Sequence, residues 1–295
     1  MSSAQNVDLY LWPGDTFSVP PEIVSSCGER FELEERINSG GNGVVYRCVE
    51  VVSGAEYAIK FLLKYDKANK RLRRFKFERA QLGNLSHEHL VRFIAQGSVD
   101  SNRSQRRKKS RKKVEFFVME LADSGNLRDL SSGTSFIREE IYKPQFRGLA
   151  AGLKAIHDRN LVHRDIKPEN ILISGEKWLL CDFGLCAPVA KTGIDITGDE
   201  NLGPRFWMSP EMSNRCLGID GIFSKIGKAS DVFQLASVFW FIVNRRHPSG
   251  IIEKVDWNGP PALFPVMKRA LDHCPKRRTL DGGRFFNELS SALEN

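Results

Sequence analysis

Signals for secretion, membrane insertion and covalent cross-links are scarce in this chain. Among its 295 residues the six cysteines form no C-x-x-C pair, so the sequence predicts neither a zinc site nor a disulfide framework. The first residues lack the basic stretch and long apolar run of a secretory signal. The longest strongly apolar run, 235–243, is too short to cross a bilayer. We therefore expect reduced thiols, no membrane partner and a cytoplasmic location, with the nucleus as the alternative in a eukaryote.

The positive charge of the chain is concentrated in one segment. The formal net charge is +8, and the run RSQRRKKSRKK at 103–113 alone contains eight basic residues. Most such runs are solvated loops, and the alternatives are an anionic partner, nucleic acid or a nuclear signal. The run has no interleaved aromatic residues, which disfavours stacking on single strands. We interpret 101–113 as a basic loop insertion that lengthens a hairpin.

The first part of the chain has the pattern of a sheet. Residues 1–30 show no sustained periodicity, which indicates an extension that is draped on the domain or disordered. From residue 31 short β-like runs alternate with glycine and polar residues, as in antiparallel hairpins. A helical pattern at 71–85 lies between the third run and the fourth. The sequence therefore predicts a first lobe at 31–121 made of a sheet and one helix.

The later part of the chain has helical patterns. An apolar stripe runs through 146–156 and predicts a helix that ends near Arg159, and an apolar segment predicts a buried helix at 231–244. We expect a second, helical lobe at 122–290, which completes one domain at 31–290. A sheet lobe followed by a helical lobe predicts an α+β, bilobal fold with a cleft between the lobes.

The densest motif is the octet HRDIKPEN at 163–170. It resembles the catalytic loop of the eukaryotic-type protein kinase family. The resemblance implies that Asp165 orients the attacking hydroxyl, that Lys167 lies against the migrating phosphoryl group and that Asn170 binds Mg²⁺. A lysine in this loop is the serine/threonine pattern of the family. The resemblance thus implies transfer of the γ-phosphoryl group of ATP to serine or threonine of protein substrates, with autophosphorylation.

A second motif lies at a spacing that the family also shows. Asp182, Phe183 and Gly184 follow Asn170 by twelve residues and come directly after the apolar run WLLC. The resemblance implies that Asp182 chelates Mg²⁺ bridging the phosphates. The tripeptide alone is weak evidence for a metal site. Its spacing from Asn170 and the apolar run before it make the match specific.

A glycine-containing segment lies between the first two β-like runs. Glycine lets a backbone approach phosphates closely. The segment at 38–45 resembles the phosphate-covering loop of the family, with Asn38 at the place of the first glycine. The resemblance implies a nucleotide site formed by Ile37, Asn38, Ser39, Gly40, Gly41, Asn42, Gly43, Val45, Ala58, Lys60, Met119, Glu120, Leu121, Ala122 and Leu172.

Lys60 lies on a predicted strand between apolar neighbours and needs an anion. Glu78 on the following helix is the natural candidate, and the resemblance implies that both residues are catalytic. The other interpretation is that Glu78, flanked by Lys76 and Arg79, is one more charge on a solvated helix face.

Further matches concern architecture. The resemblance implies a buried structural ion pair between Glu211 and Arg278, and it places Asp231 at the start of the buried helix. These features favour a protein substrate over a small molecule. Thr192 and Thr197 are candidate phosphorylation sites in the segment before Glu211.

The sequence departs from the family pattern at two further places. Pro204 follows Gly203 where serine/threonine kinases have a threonine, which bears on substrate docking and hydroxyl class. The stretch between the helix at 231–244 and Arg278 is shorter than usual. The alternatives to an active protein kinase are a pseudokinase that acts as an ATP-binding or interaction scaffold, and a small-molecule kinase.

Overall fold

The structure is a computed structural model that describes residues 6–12, 15–39, 43–62, 70–105, 108–131, 136–191, 205–219, 221 and 224–294. At 10–12, 15–17, 70, 103–105, 108–112, 191 and 205 the description covers the backbone alone. The chain divides into a first unit, Met1–Ser86 with Val91–Ala122, and a second unit, His87–Leu90 with Asp123–Asn295. We describe each unit by itself.

The first unit contains an antiparallel sheet and one helix. Its eight strands are in the order β1-β2-β7-β8-β6-β5-β4-β3. The strands are β1 (Val7–Trp12), β2 (Asp15–Val19), β3 (Glu22–Val24), β4 (Arg30–Ser39), β5 (Val44–Glu50), β6 (Glu56–Phe61), β7 (Phe93–Gln105) and β8 (Lys108–Glu120), and the helix is α1 (Lys70–Asn84).

Alternation along the central strands separates two faces of this sheet. Val44 on β5, Ile59 on β6 and Val118 on β8 are fully buried in the apolar core of the unit. Successive strand residues project to opposite faces, so their neighbours Val45 and Lys60 belong to the other face. The apolar face explains the β-like runs of the sequence.

The first 30 residues differ from the prediction of a draped or disordered extension, because they contribute three strands. Leu9, Val19 and Ile23 are fully buried in the same core. Strand β2 pairs with β7 and β3 pairs with β4, with Ile23 opposite Phe31. Strand β1 pairs with its neighbour β2, and β2 reaches the distant β7. All three strands are short, so local periodicity does not reveal them.

The basic run lies in a β-hairpin. Strands β7 and β8 pair in continuous register from Ala95↔Val118 to Gln105↔Lys108. The run therefore lengthens a hairpin, as predicted, but 101–105 and 108–113 are paired strand and not the loop that the sequence predicted. The side chains of 103–112 lie outside the described residues, and an anionic or nucleic-acid partner stays a prediction.

The second unit is mainly helical, with two small two-stranded sheets, β10-β11 and β9-β12. Its elements are α2 (Leu127–Ser131), α3 (Glu139–Asp158), β9 (Leu161–Val162), β10 (Ile171–Ser174), β11 (Lys177–Leu180), β12 (Ala187–Pro188), α4 (Pro210–Cys216), α5 (Lys228–Asn244), α6 (Phe264–Ala270) and α7 (Gly282–Leu293).

Helices α3 and α5 form the centre of the second unit. The predicted stripe at 146–156 is buried, and Phe146 stacks on Phe239 with ring centroids 3.9 Å apart. Thirteen of the residues of α5 are buried, as its apolar sequence predicts. Burial of α5 nearly all round makes it a fixed support for the loops that contact it. Within the described ranges, no helix is both long and apolar enough to cross a membrane.

Candidate active site

One face of the first unit's sheet brings the predicted nucleotide residues together. Val45 pairs with Lys60, and Ala58 pairs with Met119. Directly opposite residues on antiparallel strands share a face, and residues two apart do so as well. Val45, Ala58, Lys60 and Met119 therefore lie on one face of the sheet, opposite the apolar core.

Lys60 and Glu78 form an ion pair, with Nζ 2.6 Å from Oε1. The side chains are 11% and 2% exposed. Helix α1 packs on this face through Phe75, whose ring lies 5.1 Å from that of Phe117, and this contact brings Glu78, one turn later, to Lys60. The predicted pair is confirmed. The interpretation of Glu78 as a charge on a solvated face is wrong, because packing of α1 removes it from water.

The start of strand β5 requires glycine. A Cβ on Gly43 would lie 2.3 Å from the carbonyl oxygen of Phe61, a distance that no side chain tolerates. Asn38 lies within β4, opposite Val45, where extended backbone accepts any residue. Ile37 is 48% exposed, and Ser39 is exposed as well. The predictions on Gly40, Gly41 and Asn42 lie outside the described residues.

The remaining predicted nucleotide residues lie at the end of β8 and in β10. The N–H of Glu120 donates to the carbonyl oxygen of Arg92 over 2.9 Å, so this N–H serves the sheet. Leu121 and Ala122, which follow, are half-buried. Leu172 lies in the second unit, pairs with Leu179 and is half-buried.

Asp165 is 6% exposed, and its two carboxylate oxygens differ. Oδ2 accepts hydrogen bonds from Lys167 Nζ at 3.0 Å and from Asn170 Nδ2 at 2.8 Å. Oδ1 is buried and accepts no hydrogen bond from any described residue. A buried acceptor without a partner is costly in a folded protein and indicates a site that another group fills.

Asp182 and Asn170 lie at the two ends of one short hairpin. Asn170 precedes β10 and Asp182 follows β11, and the N–H of Cys181 donates to the carbonyl oxygen of Asn170 over 2.9 Å. Asp182 has left-handed backbone, with φ of 60°, and its Oδ1 accepts a bond from the N–H of Gly184. The hairpin therefore brings together two of the residues expected to bind a metal.

A protein-family model described as "Protein kinase domain" matches residues 31–258 of this chain. The chain belongs to the protein kinase family. The kinase domain implies ATP as a substrate together with a divalent metal ion. The antiparallel sheet of the first unit and the helical second unit agree with the bilobal kinase fold.

Relatives of this kinase include bacterial and animal proteins. It is 35% identical to "Serine/threonine-protein kinase PknL" of Mycobacterium bovis over 184 residues, which cover 62% of this chain and 43% of that protein. It is 27% identical to "Maternal embryonic leucine zipper kinase" of Danio rerio, over 88% of this chain and 37% of that protein. "Serine/threonine-protein kinase DCLK1" of Rattus norvegicus is 32% identical, over 57% of this chain and 37% of that protein.

The aligned part of this kinase thus spans less than half the length of these relatives. Nothing in the comparisons supports the pseudokinase alternative.

The metal donors in the kinase fit a hard cation. No group of three or more His, Cys, Asp or Glu side chains gathers in the described ranges. Mg²⁺ needs no such cage, because it binds one or two protein oxygens together with phosphates and water. Asn170 directs Nδ2 to Asp165, which leaves its Oδ1 as the amide oxygen for a cation beside the Asp182 carboxylate. These residues fit Mg²⁺.

Asp231 fixes the start of the loop at 163–170 in the kinase. Its carboxylate accepts hydrogen bonds from the backbone N–H of His163 at 2.7 Å and of Arg164 at 2.8 Å. His163 Nε2 lies 3.1 Å from the carbonyl oxygen of Cys181. Burial lowers the pKa of His163, so its ring is neutral at neutral pH.

The predicted pair of Glu211 and Arg278 is present. Arg278 Nη1 donates to Glu211 Oε1 over 2.7 Å, and Nη2 donates to Oε2 over 3.1 Å. Both side chains are buried, and the hydroxyl of Ser230 donates a further bond to Glu211. The ion pair fixes α4 to the segment before α7, and the bond from Ser230 fixes α4 to α5.

Sequence reasoning missed His157 on α3. Its Nε2 lies 3.0 Å from Asp231 Oδ2, and its Nδ1 accepts a bond from the N–H of Gly282 over 2.7 Å. The only signal was a histidine beside the apolar stripe at 146–156, which is ordinary for a core residue. Thr192, Thr197, Gly203 and Pro204 lie outside the described residues.

Proposed function

We propose that this kinase transfers the γ-phosphoryl group of ATP to serine or threonine hydroxyls of protein substrates with Mg²⁺, and that it phosphorylates itself. The observation that carries the proposal is that the two carboxylate oxygens of Asp165 have different surroundings. One oxygen is fixed by Lys167 and Asn170, and the other is buried without a partner in the described part of the chain.

Asp165 is the group that orients the substrate hydroxyl. Its fixed Oδ2 sets the plane of the carboxylate, so Oδ1 presents an acceptor at a defined place for the hydroxyl proton. Lys167 donates to the same carboxylate and supplies positive charge where negative charge moves during transfer. Both residues touch the reacting atoms in this proposal, and we assign them as catalytic.

Lys60 binds the phosphates of ATP, and Glu78 positions Lys60. The carboxylate of Glu78 is buried and fixes the lysine ammonium on the sheet face that also carries Val45, Ala58 and Met119. Because the lysine side chain is already fixed, it loses little conformational entropy when it binds phosphate oxygens. Asn170 and Asp182 would hold Mg²⁺, which neutralises charge on the phosphates when it is bound.

The choice of serine or threonine rests on Lys167 and on relatives. Lysine in this loop is the serine/threonine pattern of the family, and two of the relatives above are named serine/threonine-protein kinases. We further propose 31–290 as the kinase domain, with lobes at 31–121 and 122–290 and with β1 to β3 as an addition to the sheet of the first lobe. The nucleotide site is proposed at the fifteen residues named from the sequence.

The test is phosphoryl transfer from γ-labelled ATP to a panel of proteins, with and without Mg²⁺. Asp165→Asn keeps the size of the side chain and removes its basicity, so we expect transfer to fall by about 10² to 10⁴-fold. Asp158→Asn is the matched control, because Asp158 is exposed and bonds only to Lys154 in the described structure. Transfer that persists in Asp165→Asn contradicts the mechanism.

Hydroxyl class and autophosphorylation are separate measurements. Phosphoamino-acid analysis of the labelled substrates should give phosphoserine or phosphothreonine, and phosphotyrosine alone would refute the assignment. Mass spectrometry of the kinase after incubation with ATP should find phosphate between Asp182 and Glu211, with Thr192 and Thr197 as the candidates. An active kinase without phosphate there contradicts autophosphorylation of this segment.

A further inference from the structure

A groove of about 410 Å³ opens on the second unit in a part that phosphoryl transfer does not use. It lies where the start of α4, the helix α5, the segment 248–252 and the turn after α6 meet. Its apolar wall is formed by Pro210, Phe233, Pro248, Ile251, Ile252 and Leu271.

A buried ion pair supports Phe233, which forms the floor of the apolar wall. Phe233 is half-buried although most of α5 is fully buried, so the helix presents an aromatic ring to the groove. The guanidinium of Arg278 lies 4.9 Å from the centre of that ring and is fixed by Glu211. A floor supported by a buried ion pair keeps its shape before a ligand arrives, which lowers the cost of binding.

The charge beside the groove is positive. Lys268 lines it and forms no ion pair with any residue that the structure describes. Asp272, which also lines it, accepts bonds from Nε and Nη2 of Arg277 at 3.0 Å each, so its charge is neutralised. Among the described residues that line the groove, the ammonium of Lys268 remains without a counterion, and it complements a carboxylate.

The apolar wall extends to the surface. Ile251 is 87% exposed, and it stands on a segment that turns at Gly250, where φ is 72°. A single exposed isoleucine is ordinary, but here it continues a concave apolar surface. Pro210, the residue before Glu211 at the start of α4, also lines the groove.

We propose that this groove is a docking site for an acidic segment of the protein substrate, in which a bulky apolar side chain is flanked by Asp or Glu. The apolar side chain covers Phe233 and Leu271, and a flanking carboxylate pairs with Lys268. The apolar contact supplies most of the affinity, and the charge supplies specificity. The substrate identity of the partner rests on the proposed function, whereas the peptide chemistry rests on the groove alone.

The probe is an array of 12-residue peptides with Leu, Ile, Phe or Ala at the centre and Asp, Lys or Ser on each side. We expect the full chain to retain peptides with a bulky apolar centre and Asp flanks. The best of them is then labelled and titrated by fluorescence anisotropy. An array on which Lys-flanked or Ala-centred peptides bind as well would overturn the proposal.

Three variants locate the binding. Lys268→Glu reverses the charge, and Ser249→Trp places a large ring on a residue that lines the groove and is exposed. Each should weaken the best peptide by at least about tenfold, or 1.4 kcal/mol. Lys276→Glu makes the same charge change on an exposed lysine outside the lining and should leave affinity within about twofold. Equal affinity in all three variants would refute the site.

Two measurements separate this proposal from the proposed function. Asp165→Asn should bind the peptide as the wild type does while it loses phosphoryl transfer. Peptide binding by a wild type that transfers no phosphate would refute the proposed function and leave the docking site standing. Sedimentation tests a second copy as occupant: a dimer that Ser249→Trp dissociates would overturn docking of a substrate segment.

Discussion

His157 joins Asp231 to the first residue of helix α7. The N–H of Gly282 donates to Nδ1 over 2.7 Å, which fixes the proton of the ring on Nε2, and Nε2 donates to Asp231 Oδ2 over 3.0 Å. Because Asp231 also accepts from the N–H of His163 and Arg164, the end of the chain is linked to the catalytic loop through one ring. His157 is therefore a positioning residue.

We expect His157→Phe to lower both stability and kcat. The phenyl ring fills the space but leaves the N–H of Gly282 and one interaction of Asp231 unsatisfied, at a cost of about 1–3 kcal/mol each. His157→Gln, which keeps a donor and an acceptor, should recover part of the rate at unchanged KM for ATP. The measurements are thermal unfolding and steady-state kinetics. A His157→Phe variant with normal kcat would show that Asp231 holds the loop alone.

The N-terminal strands should be required for the stability of the first unit. Ile23 is fully buried, whereas the next residue, Val24, is 52% exposed. Ile23→Ala leaves a cavity in the sheet core and should cost about 2–5 kcal/mol. Val24→Ala is the control and should stay within about 0.5 kcal/mol. Hydrogen exchange of the amides of β5 and β6 measures the difference, and equal protection in both variants would contradict the prediction.

The contacts around Asp165 are predictable because the information for them is local. Asp165, Lys167 and Asn170 lie within six residues, so the loop that brings them together is encoded in the octet itself. The pair of Lys60 and Glu78 was also predictable, since a buried lysine needs an anion and α1 offered one acid at a suitable distance.

Features that depend on distant contacts were not predictable. Strand β2 obtains one of its partners, β7, from a distant segment, and the alternation in the three short N-terminal strands is too weak to identify them. His157 obtains its role from Asp231 and Gly282, which follow it by 74 and 125 residues. The spacing of residues along the chain does not predict such contacts.

Gly282 and Gly283 should respond differently to alanine. A Cβ on Gly282 would lie 2.7 Å from the backbone nitrogen of Lys154, whereas a Cβ on Gly283 meets only side-chain atoms, the nearest at 3.3 Å. Backbone of α3 cannot move aside easily, so Gly282→Ala should cost about 1–3 kcal/mol. Gly283→Ala should be neutral or stabilise α7 by up to about 1 kcal/mol. Calorimetry measures both.

We expect Gly282→Ala and Gly283→Ala to differ in kcat as they differ in stability. Gly282→Ala moves the N–H that fixes the His157 ring, so kcat should fall as in His157→Phe. A Gly282→Ala variant that is destabilised but has normal kcat would separate packing of α7 from positioning of the loop.

His247 should make the second unit less stable in mild acid. Its ring lies 5.2 Å from that of Trp207, and Nε2 is buried without a hydrogen-bond partner among the described residues. Burial lowers the pKa of His247, and backbone hydrogen bonds at Pro248 and Phe206 offset this only in part. The unfolded chain therefore binds a proton more readily than the folded one, and stability rises with pH.

The loss begins as pH falls below the unfolded value of about 6.5 and continues to the lowered folded pKa, with a slope of at most about 1.4 kcal/mol per pH unit for this one group. His247→Phe keeps a ring beside Trp207 and should remove that part of the slope in urea unfolding between pH 7 and 5. His273→Phe, at an exposed histidine, is the control and should keep the wild-type slope. If the His247→Phe and wild-type profiles run parallel, His247 does not contribute to the acid sensitivity of this unit.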